Sequence, residues 1–572
     1  MARYREKILK ITPAAALLVF AFLIAFTPWS LGDRELLWRE GYSLVLVQDT
    51  TLAPLPLVMA HGEAVPNAQP LFPMLAKLVS ALGCPMELTT RLLSLLGAAG
   101  LVIISFITAL RSRDNVSAGA AAAAVMISSV LIFDKAPDGL DNTIFVLILL
   151  AGHLLWYYFA ALRGDWSKGW LLGLTACAVG FYLKGMMAVV FFVVPLIFMR
   201  RPLGIFQRLN NRGIVFGTAI LFLAVILWYL PYYFEGVVSA AVYPQADWLD
   251  GKDYLVHLLT FPLDFWLRML PWALLAWAPF CVNFQTLDPT PIFSRFLRTL
   301  FLADFFLLWV IPLDEAHDWI ILVPPLAIMT GLNYELAVRR YGNLYRKLGN
   351  ICAAVLLPGA GIVLLAFFLL PLEIFNRLFV FESPLDFRWE FGRMVLGTVS
   401  GSMLLIVALI LWRLREKPPI WSYWLMIALA PMLVYSNIVQ PYQSQDNPRL
   451  VRAEVLRNAL EQDGAKNGVL LYKYDLHDLF TEAVYMKNPV QKITSWNNLP
   501  GADVPVVYVF ATSFPDHAER SWRSLLPQPM SSRGRKFNLW RGEWQKKSAP
   551  VEYKRSPLTE EIIKNPAKEP AR

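Results

Sequence analysis

Apolar runs long enough to cross a 30 Å hydrocarbon layer as helices, at roughly 20 residues each, recur along the first 439 residues and leave little room for any other architecture. Allowing some shorter spans, about thirteen are expected, near 9–31, 88–110, 116–133, 142–162, 169–183, 185–199, 213–232, 265–284, 298–313, 319–333, 351–371, 393–412 and 420–439. An odd count puts the two ends on opposite sides. The chain is 56% hydrophobic and only 17% charged, in blocks rather than stripes, which excludes an ordinary soluble enzyme. The leader "MARYREK" also fits a secretory signal, but no small-x-small cleavage site follows it, so 9–31 is read as a membrane helix.

The formal charge of +9 is distributed as topology. Arg111 and Arg113, Arg163 and Lys168, "RRPLGIFQRLNNR", Arg295 and Arg298, "RRYGNLYRK" and "RLREK" fall in alternate connections, which with the N-terminal tail are expected in the cytoplasm. The other set is acidic: Asp33, Glu35, Glu40 and Glu63, then "DKAPDGLD", "DWLDGKD", "DEAHD" and "FESPLDFRWEF". Clusters of this kind are no nucleic-acid footprint. Cys84, Cys177, Cys281 and Cys352 are scattered without CxxC spacing, and there is no GxGxxG or GxxxxGK[ST] phosphate loop.

The first outer connection, residues 32–87, contains "SLVLVQ" and "PLFPMLAKLVSAL", too short to span and suited to lying at the interface as amphipathic helices. Beyond residue 439 the composition turns soluble. Residues 440–548 read as an extracytoplasmic α/β domain, with strands at "GVLLYKY", "QKITSW", "VPVVYVFA" and "KFNLWRGEW" and a helical stretch at "DHAERSWRSLL"; residues 549–572 read as a tail. The expected fold class is therefore a mainly α polytopic membrane protein with a C-terminal soluble α/β domain.

Several segments, in order, resemble landmarks of the GT-C glycosyltransferases that use polyprenyl-phosphate sugars, in the branch of protein O-mannosyltransferases and lipid A aminoarabinose transferases. "RELLWRE" is similar to that family's DExxYxE-like loop motif, and "QPLFPML" followed by Arg91 to its interfacial helix and the arginine opening its second span. "LDNTIFVLILLAGHLLWYY", "YLKGMMAVVFFVVPL", "RMLPW" and "WIILVPPLAIMTG" resemble its LDP, threonine-lysine-glycine, LPW and YxLPxxPxLA segments. The sequence also departs from the pattern. The leading aspartate of the motif matches Asp33, one position early, or Arg34, while Glu35 and Glu40 stay in register. Ala68-Gln69 replaces a Glu-Lys pair whose carboxylate helps hold a metal in the aminoarabinose enzyme, and "DEAHDW" replaces a lysine and tyrosine.

The resemblance implies an inverting glycosyltransferase working on the non-cytoplasmic face of a bacterial inner membrane. It would move a sugar from a polyprenyl-phosphate donor to a lipid A-like glycolipid, an envelope glycan or a protein hydroxyl. Such a reaction needs a base for the acceptor hydroxyl and cations for the departing phosphate. Asp33 is the first candidate base and Glu35 the second, with Asp141 positioning the acceptor; both acids could equally cap the following helix. Lys184 is assigned to the lipid phosphate, with Arg91 and Arg268 assisting and Glu40 and Gln69 completing the substrate site, although Lys184 and Arg268 could simply snorkel. Asp314, Glu315, His317 and Asp318 are candidate ligands for a divalent cation, the one cofactor considered. His153 reads as a packed core histidine, and His477 and His517 carry no inferred role. The competing functions are a transporter or flippase of a lipid-linked substrate, which would favour paired repeats and broken helices, and a non-catalytic envelope-assembly protein.

Overall fold

The run "SAGAAAAAVMIS" sets the packing of the membrane unit, because residues this small let helix backbones approach closely where no hydrophobic force drives helices together. In the computed structural model Ala120 to Ala124 are fully buried, and Gly331 sits so near the Ala118 carbonyl that a Cβ there would lie 2.5 Å from it. The structure describes residues 2–26, 34–53, 56–65, 68–199, 208–236, 251–312, 316–379, 384–385, 391–414, 418–445, 447–466, 468–476, 479–532 and 535–545. The chain divides into two units, Met1–Ala453 with Phe480–Tyr485, and Glu454–Leu479 with Met486–Arg572.

The principal helices of the first unit are α1 (Ala2–Ala25), α2 (Trp38–Asp49), α3 (Leu71–Ala81), α4 (Met86–Arg113), α5 (Val116–Ser128), α6 (Val130–Lys135), α7 (Asn142–Trp156), α8 (Trp166–Lys184), α9 (Met186–Phe198), α10 (Arg212–Phe234), α11 (Gly251–Arg268), α12 (Pro291–Val310), α13 (Val323–Leu369), α14 (Phe391–Arg413) and α15 (Ile420–Val434). This is a mainly helical, polytopic membrane architecture. Among the described residues six helices are long and apolar enough to cross a membrane, or seven if Gly251–Arg268 and Ala273–Phe280, bent by 112°, form one span. Part of the difference from the expected thirteen lies in shorter apolar helices such as Ile11–Ala25, Val116–Ser128 and Met186–Phe198.

Another part lies in α13. The basic stretch "RRYGNLYRK" was expected to turn between two spans, yet it continues as helix within a single 47-residue element. Its arginines, lysine and leucine are good helix formers and the lone Gly342 costs only about 1 kcal/mol, so nothing local stops the helix.

The described residues of the 32–87 connection form α2 and α3 and a small hairpin, β1 (Met59–Ala60) with β2 (Glu63–Ala64), turned by His61 and Gly62 at φ 52° and 78°. Trp38 and Tyr42 stack 5.9 Å apart and both meet Phe480 edge-on, at 5.9 and 5.0 Å.

Among the described residues of the second unit six strands form one sheet: β3 (Leu471–Tyr474), β4 (Val490–Ile493), β5 (Val506–Ala511), β6 (Arg520–Ser524), β7 (Met530–Ser532) and β8 (Arg535–Trp544), in the order β4-β3-β5-β8-β6 with β7 also on β8. The β3 pairings to β4 and β5 are parallel and those to β8 antiparallel. The expected helix at "DHAERSWRSLL" is instead strand β6. Its residues pair with β8 so that Trp522 lies opposite Gly542, where a Cβ would come within 2.6 Å of the indole.

Candidate functional site

The residues that lead into α2 are held around one carboxylate. Glu40, third in α2, accepts the Leu37 backbone N–H at 3.3 Å and the Gly139 N–H at 3.1 Å. Arg91, one turn into α4, grips the same carboxylate with Nε at 2.5 Å and Nη2 at 3.1 Å. It also donates to the Arg34 and Glu35 carbonyls at 3.0 and 3.4 Å. Both side chains are buried, at 0% and 3% exposure, so this forked, charge-assisted pair binds α2, α4 and the 138–141 turn into one frame. Gly139 is required there, since a Cβ would meet Thr90 at 2.5 Å and Glu40 at 3.0 Å.

A second group forms around "DKAPDGLD". Arg34 reaches Asp138 at 2.5 Å and Asp134 at 3.7 Å, and donates to the Asp134 carbonyl at 2.7 Å. Asp138 is fully buried and takes His317 Nε2 at 2.5 Å on its other oxygen. Asp134 meets Lys135 at 3.0 Å and Arg268 at 3.9 Å, and accepts the Tyr435 hydroxyl at 3.4 Å. Burial works to raise the Asp134 pKa, but Lys135, Arg34 and Arg268 outweigh it and hold the group below the usual carboxylate value. Arg268 itself lies 5.5 Å above Trp319 and is paired with Asp264 at 3.1 Å.

The third group is the wetter one. Lys184, the last residue of α8, sits 3.0 Å from Asp141, 3.5 Å from Asp318 and 3.4 Å from Asn142 Oδ1, while Asn142 Nδ2 donates to Asp318 at 2.7 Å. About a fifth of each ionic side chain stays exposed. Helix α8 ends because Gly185 takes φ 58°, a conformation that favours glycine, and the missing Cβ admits Gln69, whose Nε2 lies 3.0 Å from where it would be. The buried Gln69 Oε1 has no partner among the described residues.

Glu35 points elsewhere. It contacts Arg449 at 3.4 Å, and Arg449 also donates to the Leu36 carbonyl at 3.1 Å. Burial raises the Glu35 pKa above the ordinary 4.5, with Arg449 and Arg452 opposing.

Of the candidate residues, the structure thus brings Asp141, Lys184 and Asp318 into contact, sets Gln69 beside Gly185, and joins Arg268 and His317 to the neighbouring aspartates. Glu40 and Arg91 face each other. Asp33, Asp314 and Glu315 lie outside the described residues. His317 and Asp318 turn to different partners, and no three His, Cys, Asp or Glu side chains are grouped as metal ligands among the described residues. The sequence reading missed Asp134, Asp138, Asn142 and Arg449 as site residues. The signal for the first two was present in "DKAPDGLD", where three aspartates in eight residues precede a long apolar run.

The helical architecture is shared with solved membrane proteins at low sequence identity, a likeness of fold alone. The fold is that of ArnT from Cupriavidus metallidurans. The structure of ArnT bound to undecaprenyl phosphate superposes with a TM-score of 0.63 at 15% identity, covering 92% of this chain and 97% of that one. Its apo state gives 0.64 at 14% identity over 94% and 98%. The archaeal oligosaccharyltransferase AglB from Archaeoglobus fulgidus, in complex with an inhibitory peptide and a dolichol-phosphate, matches at 10% identity over 87% of this chain and 69% of that one, with a TM-score of 0.31 too low to support an argument. No protein-family model and no curated protein matches the sequence.

Proposed function

We propose that the protein is an inverting, membrane-embedded glycosyltransferase that transfers a sugar from a polyprenyl-phosphate donor to a hydroxyl of a lipid, glycan or protein acceptor. The observation that carries this reading is Lys184, an ammonium fixed at a helix end beside two carboxylates, with Gln69 against the following Gly185, in a chain with the fold of ArnT, which was solved with undecaprenyl phosphate. The donor phosphate binds Lys184, displacing the 3.4 and 3.5 Å contacts to Asn142 and Asp318, which are long for hydrogen bonds and ion pairs. Arg268, a neighbour of Asp134, adds a second positive charge.

A carboxylate, Asp33 or Glu35, takes the proton of the acceptor hydroxyl as its oxygen attacks the anomeric carbon. The bond from that carbon to the phosphate oxygen breaks, and the electron pair leaves with the polyprenyl phosphate, stabilised by Lys184. One such displacement inverts the anomeric configuration. Asp141 orients the acceptor, and Gln69 Oε1 accepts a substrate hydroxyl. Glu40 and Arg91 position these groups from behind rather than touching substrate. The described residues assemble no metal site, and no step in this scheme runs through one.

Lys184→Ala is expected to weaken binding of a polyprenyl-phosphate sugar to the purified, folded protein by about 2–5 kcal/mol, the cost of truncating one partner of a desolvated charge pair. Unchanged donor affinity removes Lys184 from the phosphate site.

The chemistry is assigned to the extracytoplasmic face of a bacterial inner membrane, with residues 1–439 as the membrane domain, 440–548 as the outer domain, 549–572 as a tail and the N-terminus in the cytoplasm. A periplasm-active reporter fused after Asn437 should accordingly be active, and a cytoplasm-active one silent, because the basic connections alternate with the acidic ones. The reverse pattern moves the site to the inner face.

A further inference from the structure

Away from this site, where α13, α14 and α15 meet, lies a cavity of about 460 Å³, within the size range of ligand pockets. Ala354 and Pro358 of α13 and Leu405 and Ala408 of α14 form apolar walls. One polar pair interrupts them: the Tyr423 hydroxyl donates to Asn350 Oδ1 at 2.6 Å, and the Asn350 amide N–H groups have no partner among the described residues. Trp412, which also lines the cavity, immediately precedes Arg413 at the end of α14. On α13, Arg346 donates to the Pro418 carbonyl at 3.2 Å, and the exposed Lys347 follows it.

The charge here is predominantly positive. Residues 336–372, 391–414 and 418–445 contain no Asp or Glu, and the intervening 415–417, outside the described residues, add Arg415 and Lys417 against Glu416; Arg346, Lys347 and Arg413 lie beside the end of the cavity that holds Asn350 and Trp412. We propose that this cavity binds an anionic glycerophospholipid, one acyl chain between α13 and α14, the ester region at Asn350 and the phosphate against Lys347 and Arg413. An apolar slot that opens among spanning helices is filled by hydrocarbon chains of the bilayer. Clustered cations in excess over acids select an anionic headgroup over a zwitterionic one. The site is independent of the transfer chemistry and stands or falls without it.

Native mass spectrometry of the full-length protein in detergent, titrated with palmitoyl-oleoyl phosphatidylglycerol or with phosphatidylcholine of the same chains, tests this. The parent should retain one phosphatidylglycerol in preference to phosphatidylcholine. Ala408→Phe, which fills the slot, should weaken phosphatidylglycerol by about tenfold. The double variant Lys347→Gln/Arg413→Gln should weaken it by roughly fivefold per charge while leaving phosphatidylcholine unchanged. Leu405→Trp serves as a second blocking variant should Ala408→Phe fail to fold, and the surface charge variant decides if both do. Equal retention of the two lipids by the parent overturns the proposal, as does undiminished phosphatidylglycerol binding in a folded blocking variant or in the charge variant.

Discussion

Arg91→Ala should cost about 3–5 kcal/mol of stability, because it leaves the Glu40 carboxylate buried without its cation. Glu40 is fully buried, and its remaining partners are the Leu37 and Gly139 N–H groups, too few to replace water around a full charge. Thermal unfolding of the purified protein in a mild detergent should show a large fall in melting temperature. The double variant Glu40→Leu/Arg91→Met should recover much of it, since a buried ion pair is often no more stabilising than well-packed apolar groups of similar volume. If Arg91→Ala melts with the parent, the pair does not brace the loop. If the double variant melts as low as Arg91→Ala, the damage comes from lost packing rather than from an orphaned charge.

The largest kinetic effect is expected at the base. Removing it by Asp33→Asn or Glu35→Gln should lower turnover by roughly 10²–10⁴-fold, the usual contribution of a positioned general base, with donor binding nearly unchanged. The pH profile separates the two residues. Burial raises the Glu35 pKa above 4.5, so the folded state holds this proton more tightly than the unfolded chain does. The stability contributed by protonated Glu35 is therefore present at low pH and is lost as pH rises through the raised value. Activity that depends on the Glu35 carboxylate rises over the same interval. If Glu35 is the base, kcat/KM should fall on the acid side with a midpoint above 4.5, and Glu35→Gln should abolish that limb along with the rate. If Asp33→Asn alone is inactive, Glu35 is a pairing partner of Arg449. Parent-like turnover in both variants removes the base assignment.

The elements that could be read from sequence are those whose physics is local. Apolar length marked the membrane unit, and the pieces "SLVLVQ" and "PLFPMLAKLVSAL" are indeed helical within α2 and α3. "YLKGMM" pointed to a break, and Gly185 supplies it with a positive φ. What escaped depends on partners distant in the chain. Whether "RRYGNLYRK" turns or continues is decided by what packs along α13, and Arg346 there is bonded to Pro418. Strand β6 needs Gly542 opposite Trp522 before its alternation has meaning.

At the site, the ionisable residues were visible but their pairing was not. Arg91 and Lys184 both read as cations for a phosphate, yet one is sealed against Glu40 and the other is partly open. Nor could spacing reveal that His317 turns to Asp138 while the adjacent Asp318 turns to Asn142 and Lys184. The acidic run "DKAPDGLD" marks Asp138 as a candidate, but nothing local distinguishes it, buried and directly after "KAP", from its neighbours. Its role emerges from Arg34 and His317, which lie about a hundred residues or more from it on either side.

Transfer from a polyprenyl-phosphate sugar must release polyprenyl phosphate, and that release is the decisive readout. Purified protein reconstituted into vesicles with a panel of polyprenyl-phosphate sugars and an envelope lipid extract should liberate polyprenyl phosphate from at least one donor in an acceptor-dependent manner. A mass-shifted acceptor should appear in equal amount, and both signals should be lost in Lys184→Ala. Movement of intact donor between leaflets, with no polyprenyl phosphate released and no acceptor modified, contradicts the account and describes a transporter instead.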